Sequence, residues 1–130
     1  MTPLEALQTT LAGEHAAVYV YGVLGGRVSA SAEPALSSAL RAAHDVHRAR
    51  RDQVTAMVRA AGEDPVAAAV SYELPNRADT TRRCRHAAAL LEERCAGVYA
   101  AMVGSTARAN RQWAIDALTD AAVRGLTFGV

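Results

Sequence analysis

The chain has 130 residues, about half of them hydrophobic, and a formal net charge of +1, which describes one domain, residues 1–130, with material for a real core. Such a balance carries no concentrated basic surface, so neither nucleic acid nor an anionic membrane is an expected partner. All 14 basic residues are Arg and roughly a quarter of the chain is Ala, a helix-forming bias. The N-terminus lacks the basic and apolar regions of a secretory leader, and the longest uncharged run, 16–26, is too short to span a bilayer. The expected compartment is the cytoplasm. Cys84 and Cys95 fall on one expected helix about 16 Å apart along its axis, beyond disulfide reach, and are expected to be free core thiols.

Thr2-Pro3-Leu4-Glu5 is a capping box with Pro at the first helical position. Helix 1 follows, with Leu4, Leu7, Leu11, Val18 and Tyr21 on one stripe. Glu14 shares that stripe and His15 its shoulder, until Gly25-Gly26 and Ser29 weaken the helix near Ala30. Two ionisable side chains inside an apolar run are costly unless paired, neutralised or bound to metal. The segment 13–22 therefore carries the first functional clue.

Pro34 opens helix 2, whose stripe of Leu36, Leu40, Ala43, Val54 and Val58 is interrupted by His44, His47 and Arg51. All three fall within about 40° of the stripe's centre and are expected to point inward. Gly62 is a C-terminal cap and Pro65 a stop, after which 66–76 is a long link. Asn76 with Asp79 resembles a capping box for helix 3, which carries Cys84, Ala87, Ala88, Leu91, Cys95, Val98 and Met102 inward, with Glu92 and Tyr99 at the edge. Gly104 breaks the pattern. Helix 4 then directs Arg111, Ala114, Ile115, Leu118, Ala121 and Ala122 inward before Gly125, with Asp116 and Asp120 outward.

The expected fold is all-α: a four-helix bundle of about 28, 28, 25 and 18 residues, built as two antiparallel helix hairpins joined by a long crossover loop. In a first hairpin centred near Ser31, Glu14 stands level with His47 and Arg51, and Glu92 lies at the middle of its own helix. Glu14, His15, His44, His47, Arg51, Glu92 and Tyr99 thus make one interior polar layer. Carboxylate-bridged di-metal proteins use such a layer, with Glu from two helices and Glu-x-x-His from the other two. Here helix 2 offers His-x-x-His, helix 4 offers no inward ligand, and Arg51 brings a permanent positive charge that can neutralise Glu14. An ion-paired structural layer is the preferred reading, ahead of an unusual metal site or a small-ligand pocket.

The segments Ala12-Gly13-Glu14-His15-Ala16-Ala17-Val18-Tyr19-Val20-Tyr21-Gly22, His47-Arg48-Ala49-Arg50-Arg51-Asp52, Tyr72-Glu73-Leu74-Pro75, Leu91-Glu92-Glu93 with Tyr99, and Ala121-Ala122-Val123-Arg124 together resemble an uncharacterised ferritin-like family of high-GC bacteria, a domain of unknown function. The resemblance runs along nearly the whole chain. It implies a ferritin-like four-helix bundle and no established activity, and its motifs fall on Glu14, His47, Arg51, Glu92 and Tyr99.

Two functional expectations follow. In the first, the protein is non-enzymatic, and a degenerate di-metal layer has become a buried Glu/His/Arg network without cofactor. In the second, Glu14, His47 and Glu92 ligate iron or manganese in a redox protein, with Arg51 orienting a carboxylate. The second half of helix 1 is apolar all round, with Ala16, Val20, Val23 and Leu24 read as outward. With Trp113 on helix 4 they suggest a homodimer interface; the alternative is that the link or the tail 126–130 folds over helix 1.

Overall fold

In a computed structural model describing residues 1–129, the chain forms α1 (Pro3–Arg27), α2 (Pro34–Ala60), α3 (Thr81–Ser105) and α4 (Arg108–Phe128), with no strand among the described residues. Val130, the end of the tail considered as a cover for α1, lies outside them. No helix among the described residues is long and apolar enough to cross a membrane.

The helix ends follow local chemistry. Thr2 and Glu5 make both bonds of the capping box, each at 3.1 Å, satisfying two otherwise orphaned donors of α1. α1 stops at Arg27, short of Ala30, where Val28 turns to extended backbone. Gly62 terminates the second helix at φ +83°, a conformation that only glycine adopts without strain. The cap of α3 is Thr80, whose hydroxyl accepts from the Arg83 N–H at 3.1 Å. Asn76 does different work, accepting from the Ala78 N–H at 2.7 Å and donating to the Arg83 carbonyl at 2.9 Å. α4 continues through Gly125 to Phe128, which is buried.

α1 packs on both α2 and α3, and α3 on α4. Arg27 bonds the carbonyl of Arg77, Tyr21 meets Glu92, Glu14 meets Tyr99 and Thr10 meets Met102. Numbers fall along one helix as they rise along the other, so α3 runs opposite to α1. Two apolar clusters fill the interior: one includes Tyr21, Leu24, Leu40, Cys84 and Phe128, the other Leu7, Leu11, Val54, Val58 and Met102. Glu14 falls between Leu11 and Ala17, and His47 between Ala43 and Val54, where the two clusters meet.

Contact with two neighbours widens the buried arc of α1 and corrects its expected phase. Val20 and Leu24, read as outward, are 2% and 0% exposed, while Val18 is only half-buried. Ala16 and Val23 are also half-buried. Part of the cover comes from the link, which straps α1 along its length. Gln8 bonds the carbonyl of Asp64 and the N–H of Val66, His15 bonds the carbonyl of Val66 at 2.9 Å, and Tyr72 lies against Tyr19 with ring centroids 5.7 Å apart. On α4 the expected inward positions Arg111, Ile115 and Ala122 are exposed. The buried ones are Ala114, Ala117, Ala121 and Phe128.

Candidate functional site

Apart from Ser37, the buried positions of α2 recur at steps of three or four residues: Leu36, Leu40, Ala43, His47, Arg50, Val54, Val58. That spacing is the ordinary signature of a helix facing a bundle core, and it turns His47 directly into the interior. His47 is 0% exposed, Glu14 on α1 is 1% and Glu92 on α3 is 0%. His47 bridges the two carboxylates, with Nδ1 at 2.8 Å from Glu14 Oε1 and Nε2 at 2.9 Å from Glu92 Oε2.

Burial alone would push the His47 pKa down. The hydrogen bonds to Glu14 and Glu92 and their two negative charges outweigh that effect and lift it to about 9. The ring is thus an imidazolium at neutral pH, donating from both nitrogens. Tyr99 donates to Glu14, at 2.9 Å from Oε1 and 3.0 Å from Oε2. Tyr21 donates to Glu92 Oε2 and stacks on the His47 ring at 5.4 Å. Burial, then the neighbouring carboxylates, push both phenols well above their usual range, so they stay neutral donors.

The chain of bonds continues toward α4. Arg50 donates to the Tyr99 hydroxyl at 3.3 Å and to Asp120 Oδ2 at 2.6 Å, and Arg124 donates to the same Asp120 oxygen. Trp113 sets its ring edge-on to Tyr99 at 5.9 Å and bonds Gln53 at 2.7 Å. It is half-buried. Glu14, Glu92 and Asp120 balance His47, Arg50 and Arg124, so the connected network is electrically neutral. One atom stands apart: Glu92 Oε1 is buried and has no protein partner among the described residues.

Of the seven residues expected in the layer, Glu14, His47, Glu92 and Tyr99 come together. The other three do not. Arg51 lies one residue off the inward line, half-exposed and paired with its neighbour Asp52 at 3.0 Å, and Arg50 holds the interior place. His44 sits one turn from His47 beside Gly22, half-exposed; burial and then the Arg48 charge lower its pKa. His15 faces the strap.

Arg50, Tyr21, Asp120 and Arg124 are members that sequence reasoning missed. The three-four alternation on α2 would have found Arg50. Tyr21 was placed on the stripe, yet nothing local announced a partner 71 positions away. Cys95, one turn beyond Glu92 on α3, brings its sulfur within 4.8 Å of ligand atoms of Glu14 and His47.

The layer does not fit a carboxylate-bridged di-metal centre. Two carboxylates and one imidazole are present where such a centre takes four carboxylates and two imidazoles, and Tyr99 and Tyr21 already donate to Glu14 and Glu92.

Comparison with known proteins agrees with a family of unassigned role. No curated protein matches. A crystal structure of a conserved hypothetical protein, rv2844, from Mycobacterium tuberculosis is similar at 30% identity and a TM-score of 0.90, over 98% of this chain and 87% of that one. The family described as "Domain of unknown function (DUF4439)" matches residues 6–130. With nearly its whole length so matched, the chain belongs to that family.

Proposed function

We propose that the protein is a ferritin-like four-helix bundle that acts without catalysis, its midplane held by a proton-bearing network in place of a di-metal centre. The single observation that carries the reading is His47, bonded at both nitrogens to two buried carboxylates. A doubly protonated imidazole between Glu14 and Glu92 supplies the positive charge that a cation would otherwise bring.

The ferritin-like arrangement is supported by level pairs. Glu14 meets His47 and Gly22 adjoins His44, the pattern of an antiparallel α1–α2 hairpin; Tyr99 meets Trp113 and Glu92 adjoins Gly125, the same pattern for α3 and α4. With α3 opposed to α1, the long strap connects two parallel helices, as the one crossover of ferritin-like bundles does. Any pairing of copies must use surface other than Val20 and Leu24, which are buried.

The test is nitrogen-resolved NMR of the His47 ring together with elemental analysis of untagged protein. Two ring N–H signals that persist above neutral pH are expected. Stoichiometric metal in the isolated protein overturns the proton-held reading. The iron or manganese reading on Glu14, His47 and Glu92 has one observation in its favour, the unpartnered Glu92 Oε1.

A further inference from the structure

The geometry points to a second occupant for this layer: one divalent cation of the zinc class, ligated by Glu14, His47 and Cys95. The inference rests on the layer being the centre of the protein, as proposed above, and not on the proton being its permanent resident.

Two observations converge on it. The first is that one ligand atom from each of Glu14, His47 and Cys95, all buried, lies within 4.8 Å of the others. Ligand atoms around a tetrahedral zinc stand about 3.4 to 3.6 Å apart for bonds of about 2.0 to 2.3 Å, so side-chain rotation suffices to gather them. The second is Glu92, whose Oε2 lies 2.9 Å from His47 Nε2, on the other ring nitrogen from the one that meets Glu14; a carboxylate on the second nitrogen is the usual partner that orients a metal-binding histidine.

The donor set selects the ion. Thiolate with imidazole and carboxylate suits zinc or cobalt(II) better than magnesium, calcium or manganese. Three protein donors leave one position of a tetrahedral site open. Cys84 is the internal control: its thiol donates to the Ala78 carbonyl at 3.4 Å and belongs to no such cluster.

The experiment uses the untagged full chain refolded in cobalt(II). One cobalt per chain is expected, with a thiolate-to-cobalt charge-transfer band in the near ultraviolet, a higher thermal midpoint, and loss of the band on adding zinc. Cys84→Ser should keep the band and Cys95→Ser should lose it. If Cys95→Ser does not fold, His47→Gln takes its place, and a spectrum unchanged in that variant overturns the site. Native helix content without any band in the wild-type chain also overturns it, as does a band that survives Cys95→Ser. The two readings fail separately: stoichiometric zinc in isolated protein sinks the proton-held layer and supports this site, whereas a doubly protonated His47 in protein that refuses cobalt does the reverse.

Discussion

Glu14 and His15 are neighbours in the chain and serve opposite sides of α1. Glu14 turns inward to His47 at 2.8 Å, and His15 turns outward to the Val66 carbonyl of the strap at 2.9 Å. The two bonds are nearly the same length, but one lies among groups at most 1% exposed and the other lies at the surface. Inside, a broken bond leaves a charge with no water to take it. Outside, water replaces the lost partner at little cost. Depth in the bundle, rather than hydrogen-bond length, sets what each contact contributes.

The widest separation between the two sides should come from Glu14→Ala, which removes one carboxylate and leaves the imidazolium half-paired. Urea unfolding is expected to show a loss of about 3 to 5 kcal/mol, typical of breaking a buried pair. A loss below about 1 kcal/mol, the range of a surface charge, would place Glu14 with the strap.

A second contrast is in pH. The folded pKa of His47, about 9, lies above its ordinary 6.5, so its contribution is complete below about pH 6.5, fades as pH rises, and is gone above about 9. Its size is about 3 kcal/mol at 1.36 kcal/mol per pKa unit. Urea midpoints of the wild type should therefore fall across that window, and those of His47→Gln should stay nearly level. A wild-type curve as flat as the variant's would mean a neutral ring.

Adjacent arginines sharpen the comparison at a smaller scale. Arg50→Ala removes bonds to Tyr99 and Asp120 and should cost about 2 kcal/mol, in the range for hydrogen bonds to charged groups. Arg51→Ala should change stability by less than about 0.5 kcal/mol, as surface substitutions usually do. Equal effects in thermal melts would erase the distinction between the two positions. The smallest effect belongs to the strap: His15→Ala should cost less than about 1 kcal/mol, while speeding proteolysis near Val66. A loss as large as that of Glu14→Ala would show that the strap is part of the core.

Four helices, the capping box and Pro34 were legible because each depends on residues a few positions apart. The level shared by Glu14, His47 and Glu92 is legible too, the first two from chain numbers on either side of a short turn and Glu92 from its place near the middle of its own helix. Angular position was harder. One residue is about 100° of rotation, and that separates Arg50 from Arg51 and Glu14 from His15. His44 has the right phase, but Gly22 opposite it has no side chain and leaves a half-open cleft. Val20 and Leu24 were misread because a helix packed on two neighbours buries more than one stripe, and only the tertiary arrangement tells which neighbours it has. Cys95 read as a packing residue, since nothing in its own helix brings two carboxylates to its sulfur.

His47 also acts on the axial alignment of the bundle. It stands on α2, grips α1 through one nitrogen and α3 through the other, and has no further rotamer freedom to follow either. Sliding α1 or α3 along its axis by one helical turn moves its carboxylate by about 5.4 Å, taking a bond of 2.8 or 2.9 Å beyond hydrogen-bonding range. The apolar clusters on either side tolerate such slippage better, because one methyl contact can replace another. The imidazole therefore works as a pin through three rods: it leaves one register among those that hydrophobic packing alone would allow.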